Sequence, residues 1–166
     1  LAALSNDPVG ELDEKLTYEI NFKATINLAE LAKKAGVKRF VFVSTQSIYG
    51  ISNTENELDE YNSVKNPQTA YAKTKWLAEQ ELKNLEDNDF YITYVRPSTV
   101  FGWSPRLRTD IVFNNLLLNG LTYGKIEVHS DGTPWRPIVH IRDLSRFILK
   151  VLGLSYLFTL NPWLSL

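Results

Sequence analysis

The sequence predicts an α/β fold, a parallel sheet covered by helices, and three observations carry that reading. Helical and strand-like segments alternate: a helix over about 16–35, a strand at 39–44, a helix over about 69–85 and a strand at 91–95. Arg39-Phe40-Val41-Phe42-Val43 and Tyr91-Ile92-Thr93-Tyr94-Val95 are compact apolar runs that read as buried strands. The first run ends in the hydroxyls of Ser44 and Thr45 and the second stops at Pro97. In a parallel sheet both strand ends reach one edge, the edge beyond which ligands bind.

Taken in order, Leu1-Ala2-Ala3 reads as the tail of a strand, followed by a polar loop through Glu14. In the first helix Ile20, Ala24, Leu28, Leu31 and Ala35 recur at helical spacing, Lys33 and Lys34 suit the negative helix end, and Gly36 is the stop. After the strand at 39–44, residues 51–68 form a long polar surface loop whose acids Glu55, Glu57, Asp59 and Glu60 are solvated. The second helix and second strand follow. Beyond Gly102 the texture changes. Arg106 and Arg108 lie in a loop, 110–119 is a short helix, Ile126-Glu127-Val128 a short strand and Asp131-Gly132-Thr133-Pro134 a turn. Ile138-Val139-His140-Ile141 is another strand, and Asp143 caps a helix that runs to about Leu152. From Val151 to Leu166 the chain carries no charge and is rich in leucine and aromatics. A shifted reading frame near Leu152 would explain that tail; a genuine apolar extension is the alternative.

The chemistry centres on Tyr71-Ala72-Lys73-Thr74-Lys75. Four positions apart on a helix, Tyr71 and Lys75 share a face. For a tyrosine to act as a base near neutral pH, its pKa must drop by roughly two to three units, about 3–4 kcal/mol in favour of the phenolate. A nearby fixed cation is the simplest source of that stabilisation. The pair alone is a common surface pattern. Its setting is more specific: Val41-Phe42-Val43-Ser44-Thr45-Gln46-Ser47-Ile48-Tyr49-Gly50, then Asn66-Pro67-Gln68-Thr69-Ala70-Tyr71, then Val95-Arg96-Pro97-Ser98-Thr99-Val100-Phe101-Gly102, in that order.

Together these segments resemble the extended short-chain dehydrogenase/reductase family, the NAD-dependent epimerases and dehydratases of nucleotide sugars, from Leu1 to about Leu152. The resemblance implies a partial Rossmann-type parallel sheet. Residues 1–102 would be the C-terminal part of a dinucleotide-binding domain, 103–152 the start of a smaller substrate-binding subdomain and 153–166 an atypical apolar tail. It implies a catalytic set of Thr45, Tyr71 and Lys75, in which the phenol takes a proton from a sugar hydroxyl, Thr45 bonds the same oxygen and Lys75 holds the nicotinamide ribose. Counting back from Tyr49-Gly50 puts Thr45 at the catalytic position; the bland alternative is a strand-end threonine bonded to local backbone. The implied cofactor is NAD, with NADP left open, lying along Ala2, Ala3, Asn21, Val43, Ser44, Tyr71, Lys75 and Pro97. The implied substrate is a nucleotide sugar held by Thr45, Gln46, Thr99, Asn115 and Arg136. Intact relatives would pair as homodimers through the helices at 16–35 and 70–86.

Several positions depart from the pattern. Ala24 stands where a glycine is usual, and Asn21 could equally brace a strand. Thr99 replaces a phosphate-binding asparagine. Gln46 and Ser47 occupy the places where a sugar 4,6-dehydratase carries an Asp-Glu pair, which favours an epimerase and leaves a ketoreductase open. Arg136 would clamp a diphosphate, while His140 and Asp143 read as structural. The glycine fingerprint that cradles a pyrophosphate is missing, since only Gly120 and Gly124 approach its spacing. Neither Met nor Cys occurs among the 166 residues. The expectation is therefore the middle part of a longer enzyme, itself inactive; a truncated or ligand-binding relic is the non-enzymatic rival.

Composition excludes other classes. A net charge of −1 offers no basic field for nucleic acid. No apolar run is long enough to read as a membrane helix, and the lack of Cys removes disulfides and fits a cytoplasmic protein. Two histidines, His129 and His140, are too few for a typical metal site.

Overall fold

A computed structural model describes residues 3–51, 58–128, 130–132 and 137–153, and the backbone of 163–165. Strand β1 (Arg39–Val43) pairs in parallel with β2 (Tyr91–Arg96), in the register Arg39 to Tyr91 through Val43 to Val95. The expected neighbours are therefore adjacent and parallel. A third strand, β5 (Trp163–Ser165), joins the far side of β2, also in parallel, from within the apolar tail. No pattern in the sequence announces it, because three residues without charge or alternation carry no period.

The helical stretch expected at 16–35 begins earlier and is composite. It runs as α2 (Glu14–Tyr18), a wide π-type turn at Glu19–Lys23 and α3 (Ala24–Lys34). Its end is chemically clear. Gly36 at φ 78° lets its own N–H reach the Lys33 carbonyl and lets the Val37 N–H reach that of Ala32, each at 3.0 Å. The polar loop expected before Glu14 is instead a helix, α1 (Asp7–Leu12). The Asn6 side chain caps it by accepting from the Val9 N–H at 2.7 Å, Pro8 sits in its first turn, and Asp13 caps α2 in turn by accepting from the Leu16 N–H at 2.9 Å. These polar residues are helix punctuation rather than loop.

Helix α4 (Ala70–Lys83), capped by Thr69, packs with α2 and α3. Together α3 and α4 bury Ala29, Ala78 and Leu82 against Phe42, Phe90, Ile92 and Tyr94 of the sheet side. Burying such side chains is worth roughly 1.5–3 kcal/mol each for the larger ones. The periodic leucines of α3 lie on the other face. Leu28 and Leu31 are 59% and 62% exposed, while Ala29 is fully buried and Phe22, Ile26 and Ala32 pack beside the core. The spacing revealed a helix but not which side of it the sheet takes.

The later region forms a second small parallel pair, β3 (Thr99–Phe101) with β4 (Ile138–His140). Strand β3 is an addition to the expected elements, because Pro97 ends β2 and the chain resumes extended backbone at Thr99. Helix α5 spans Val112–Tyr123, and the strand expected at Ile126–Val128 does not form. Helix α6 (Ile141–Gly153) starts at Ile141, so Asp143 lies in its first turn rather than capping it. The expected strand at 1–3 and turn at 131–134 lie partly outside the described residues, within which Ala3 sits in a bend. Among the described residues no helix is long and apolar enough to cross a membrane.

Candidate active site

The carboxyl ends of β1 and β2 are tied by the Ser44 N–H to the Val95 carbonyl at 2.7 Å and the Gln46 N–H to the Pro97 carbonyl at 3.2 Å. Leaving β1, the chain enters a short 3-10 turn at Gln46–Tyr49 that Thr45 caps, its hydroxyl accepting from the Ser47 N–H at 3.1 Å. Thr45 thus does bond local backbone, but its hydroxyl also interacts with the Tyr71 phenol and draws that pKa down. Thr45 follows β1 and Tyr71 opens α4, so the two are distant in sequence and linked through that effect on the phenol.

Tyr71 is placed by the docking of α1 on the start of α4. The Thr69 hydroxyl donates to the Asp7 carboxylate, and the Glu11 carboxylate accepts from the Ala70 N–H at 2.5 Å. Carboxylates at a helix N-terminus are favourably placed against its dipole. Gly10 makes the approach possible, since a Cβ there would lie 3.2 Å from that of Tyr71. None of these α1 residues was singled out from the sequence; the Asn6-Asp7-Pro8 cap was the available signal.

Lys75 is 7% exposed, donates to the Val43 carbonyl at 2.8 Å and lies 4.7 Å from the Phe42 ring centre. Burial lowers its pKa from 10.5 to about 8, against an opposing pull from Glu79. The phenol behaves otherwise than the sequence suggested. Burial raises the Tyr71 pKa and the Thr45 hydroxyl opposes it; Asp7 raises it further, and the cation that acts on it is Arg108, not Lys75. The reason is that the Lys75 ammonium is turned to β1. A depressed lysine can be checked directly: side-chain carbon NMR of labelled lysines should show one titration near about 8 that vanishes in Lys75→Met. A lysine set titrating entirely near 10.5 would remove the buried seat.

The remaining expected residues are distributed as follows. Ser44 and Ser98 are buried, and among the described residues their hydroxyls have no hydrogen-bond partner. Val43 offers its carbonyl to Lys75, and Pro97 is buried at the end of β2. The Asn21 amide is spent on the backbone of Leu4, a residue outside any strand, accepting from its N–H at 2.9 Å and donating to its carbonyl at 3.0 Å. Thr99 opens β3 and receives no ligand-like setting beyond its N–H bond to the Pro137 carbonyl at 3.3 Å. Asn115 donates to the Thr109 carbonyl at 3.0 Å, while its neighbour Asn114 is the buried one, joining Gly102 to Arg108. His140 lies edge-on to Phe101, in keeping with a structural place. Ala2, His129 and Arg136 lie outside the described residues.

The model of the NAD dependent epimerase/dehydratase family matches residues 1–155, and the chain belongs to that family. It is 30% identical over 151 residues to the N-acetyl-alpha-D-glucosaminyl-diphospho-ditrans,octacis-undecaprenol 4-epimerase of Escherichia coli O157:H7, covering 89% of this chain and 43% of that one. It is 30% identical over 139 residues to the dTDP-D-glucose 4,6-dehydratase of Mus musculus, covering 83% and 38% respectively. The fold superposes on MoeE5 in complex with UDP-glucose and NAD with a TM-score of 0.77 at 26% identity, over 95% of this chain and 52% of that one. The chain thus spans about half the length, or less, of the proteins it matches.

Proposed function

We propose that this chain is the catalytic portion of an NAD-dependent nucleotide-sugar epimerase working through Thr45, Tyr71 and Lys75. The observation that carries the reading is the buried Lys75 ammonium held on the Val43 carbonyl at the end of β1, one helical turn beyond Tyr71, whose phenol the Thr45 side chain influences. Residues 1–102 supply the nicotinamide side of the cofactor site, 103–152 begin the substrate subdomain and 153–166 are the apolar tail. The buried hydroxyls of Ser44 and Ser98 at adjacent strand ends fit a polar ligand lying across that edge. NAD, held by Lys75 and the carboxyl ends of β1 and β2, would supply reversible hydride acceptance. Tyr71 takes the proton of the reacting hydroxyl, and the Thr45 hydroxyl bonds the same oxygen as charge develops. The phenol needs a nearby cation to act near neutral pH; Arg108 is the cation that acts on it in this structure, and the Lys75 ammonium, held on the Val43 carbonyl one turn along the helix, would hold the nicotinamide ribose.

Gln46 and Ser47 favour epimerisation over 4,6-dehydration, since neither can move the protons that loss of water requires. The test is to incubate the complete gene product with UDP-glucose and NAD and separate the products. Formation of the 4-epimer is expected; a 4-keto-6-deoxy product in its place would show a dehydratase.

The outward leucines of α3, with Leu77 of α4 at 40% exposure, fit a homodimer through these two helices. Leu28→Glu with Leu31→Glu should turn a dimer of the complete gene product into a monomer in sedimentation equilibrium. A dimer of unchanged strength would place the interface elsewhere.

A further inference from the structure

We infer that the buried ion pair of Arg96 and Glu79, with Tyr49 as its third member, is the positioning unit of the Thr45–Tyr71–Lys75 site; the inference rests on the function proposed above. Arg96 Nε donates to Glu79 Oε1 at 3.1 Å and Nη2 to Oε2 at 2.6 Å, a fork on a carboxylate. The two side chains are 2% and 0% exposed. The remaining arm, Nη1, donates to the Tyr49 hydroxyl at 2.7 Å and reaches the Glu60 carbonyl at 3.4 Å. The guanidinium also lies 5.4 Å from the Tyr49 ring and 5.8 Å from that of Trp76.

Each member belongs to a different segment of the site. Arg96 ends β2, directly before Pro97, whose carbonyl holds the Gln46 N–H. Tyr49 ends the turn that Thr45 caps. Glu79 lies on α4 one turn beyond Lys75 and two turns beyond Tyr71. One guanidinium therefore fixes the rotation and axial position of α4 against the carboxyl ends of both strands. Stability alone does not account for it, because desolvation of a buried pair offsets its attraction and apolar replacements often do as well. Apolar side chains can slide, whereas a planar fork on a carboxylate accepts one register. Lys75 depends on that register. From β1 it meets only the Val43 carbonyl and the Phe42 ring, and on its own helix Glu79 is the charge that acts on it.

The test uses the complete gene product. Glu79→Leu with Arg96→Met removes both charges together and strands neither. The expected result is a folded protein with KM changed by no more than about threefold and kcat lowered roughly 100-fold, the signature of misplaced reacting groups. Arg96→Lys keeps every charge and loses only the fork; it should lower kcat roughly tenfold at an unchanged melting temperature. A double variant with kcat within about twofold of the parent would overturn the inference. Should the double variant not fold, Arg96→Lys decides alone, and parental kcat in it overturns the inference. A parent lacking any turnover dependent on Tyr71 would sink the proposed function instead. The Lys75 titration then reads the register without turnover: Arg96→Lys should shift it, and an unmoved titration would show that the ion pair does not place Lys75.

Discussion

Replacing Tyr71 by Phe in the complete gene product should lower kcat by roughly 10²–10⁴-fold, the usual weight of a positioned proton-transfer group. The phenol is half-buried on the first turn of α4, and only its hydroxyl is lost, so the close approach of Gly10 to the Tyr71 backbone and Cβ survives. Cofactor affinity should stay measurable, because the groups proposed to hold it belong to other residues. The parent's kcat/KM should rise with pH on its acid limb. Burial raises the Tyr71 pKa, so the phenolate fraction is small at neutral pH and grows as pH increases. That limb should vanish from whatever turnover Tyr71→Phe retains. A variant with parental kcat and the same acid limb would show that another group is the base.

Local chemistry made much of this fold legible. The apolar runs at 39–43 and 91–95 could be little other than buried strands, and Gly36 marked the end of α3 because only a left-handed residue closes that cap. The Tyr71 and Lys75 pair proposed as catalytic stands out in the sequence as a spacing, and Thr45 as a strand-end hydroxyl. What escaped the sequence was orientation. The stripe of Leu28 and Leu31 could face the sheet or a partner equally well, and the sheet took the side bearing Ala29. Helix α1 was missed because polarity was weighed above the Asn6-Asp7-Pro8 cap. The direction of the Lys75 ammonium was likewise beyond spacing. Four residues place it on the face of Tyr71, but its tip is decided by an open carbonyl on Val43. The Arg96–Glu79 pair needs the parallel crossover to bring residues from a strand and a helix together, which no local pattern announces.

The chain as given should bind NAD too weakly to register at micromolar concentration. Its sequence holds no glycine-rich turn of the spacing that aims backbone N–H groups at a pyrophosphate from a helix N-terminus. What it does hold, the hydroxyls of Ser44 and Ser98, the Lys75 ammonium and the carboxyl ends of β1 and β2, is the set proposed above for the nicotinamide side. Association costs several kcal/mol in lost translation and rotation, and a few hydrogen bonds at one end leave little surplus. Among the described strands β1 is paired only with β2, so its other edge offers backbone donors and acceptors to any further strand. A gene product whose sequence adds a glycine-rich turn of that spacing should bind NAD at micromolar concentration. Calorimetric titration of monodisperse chain with NAD is the direct measurement, and the complete gene product is its control. Micromolar affinity in the chain alone would mean that the diphosphate finds its donors among these residues, and Arg108, the cation that already acts on Tyr71, would be the first to replace.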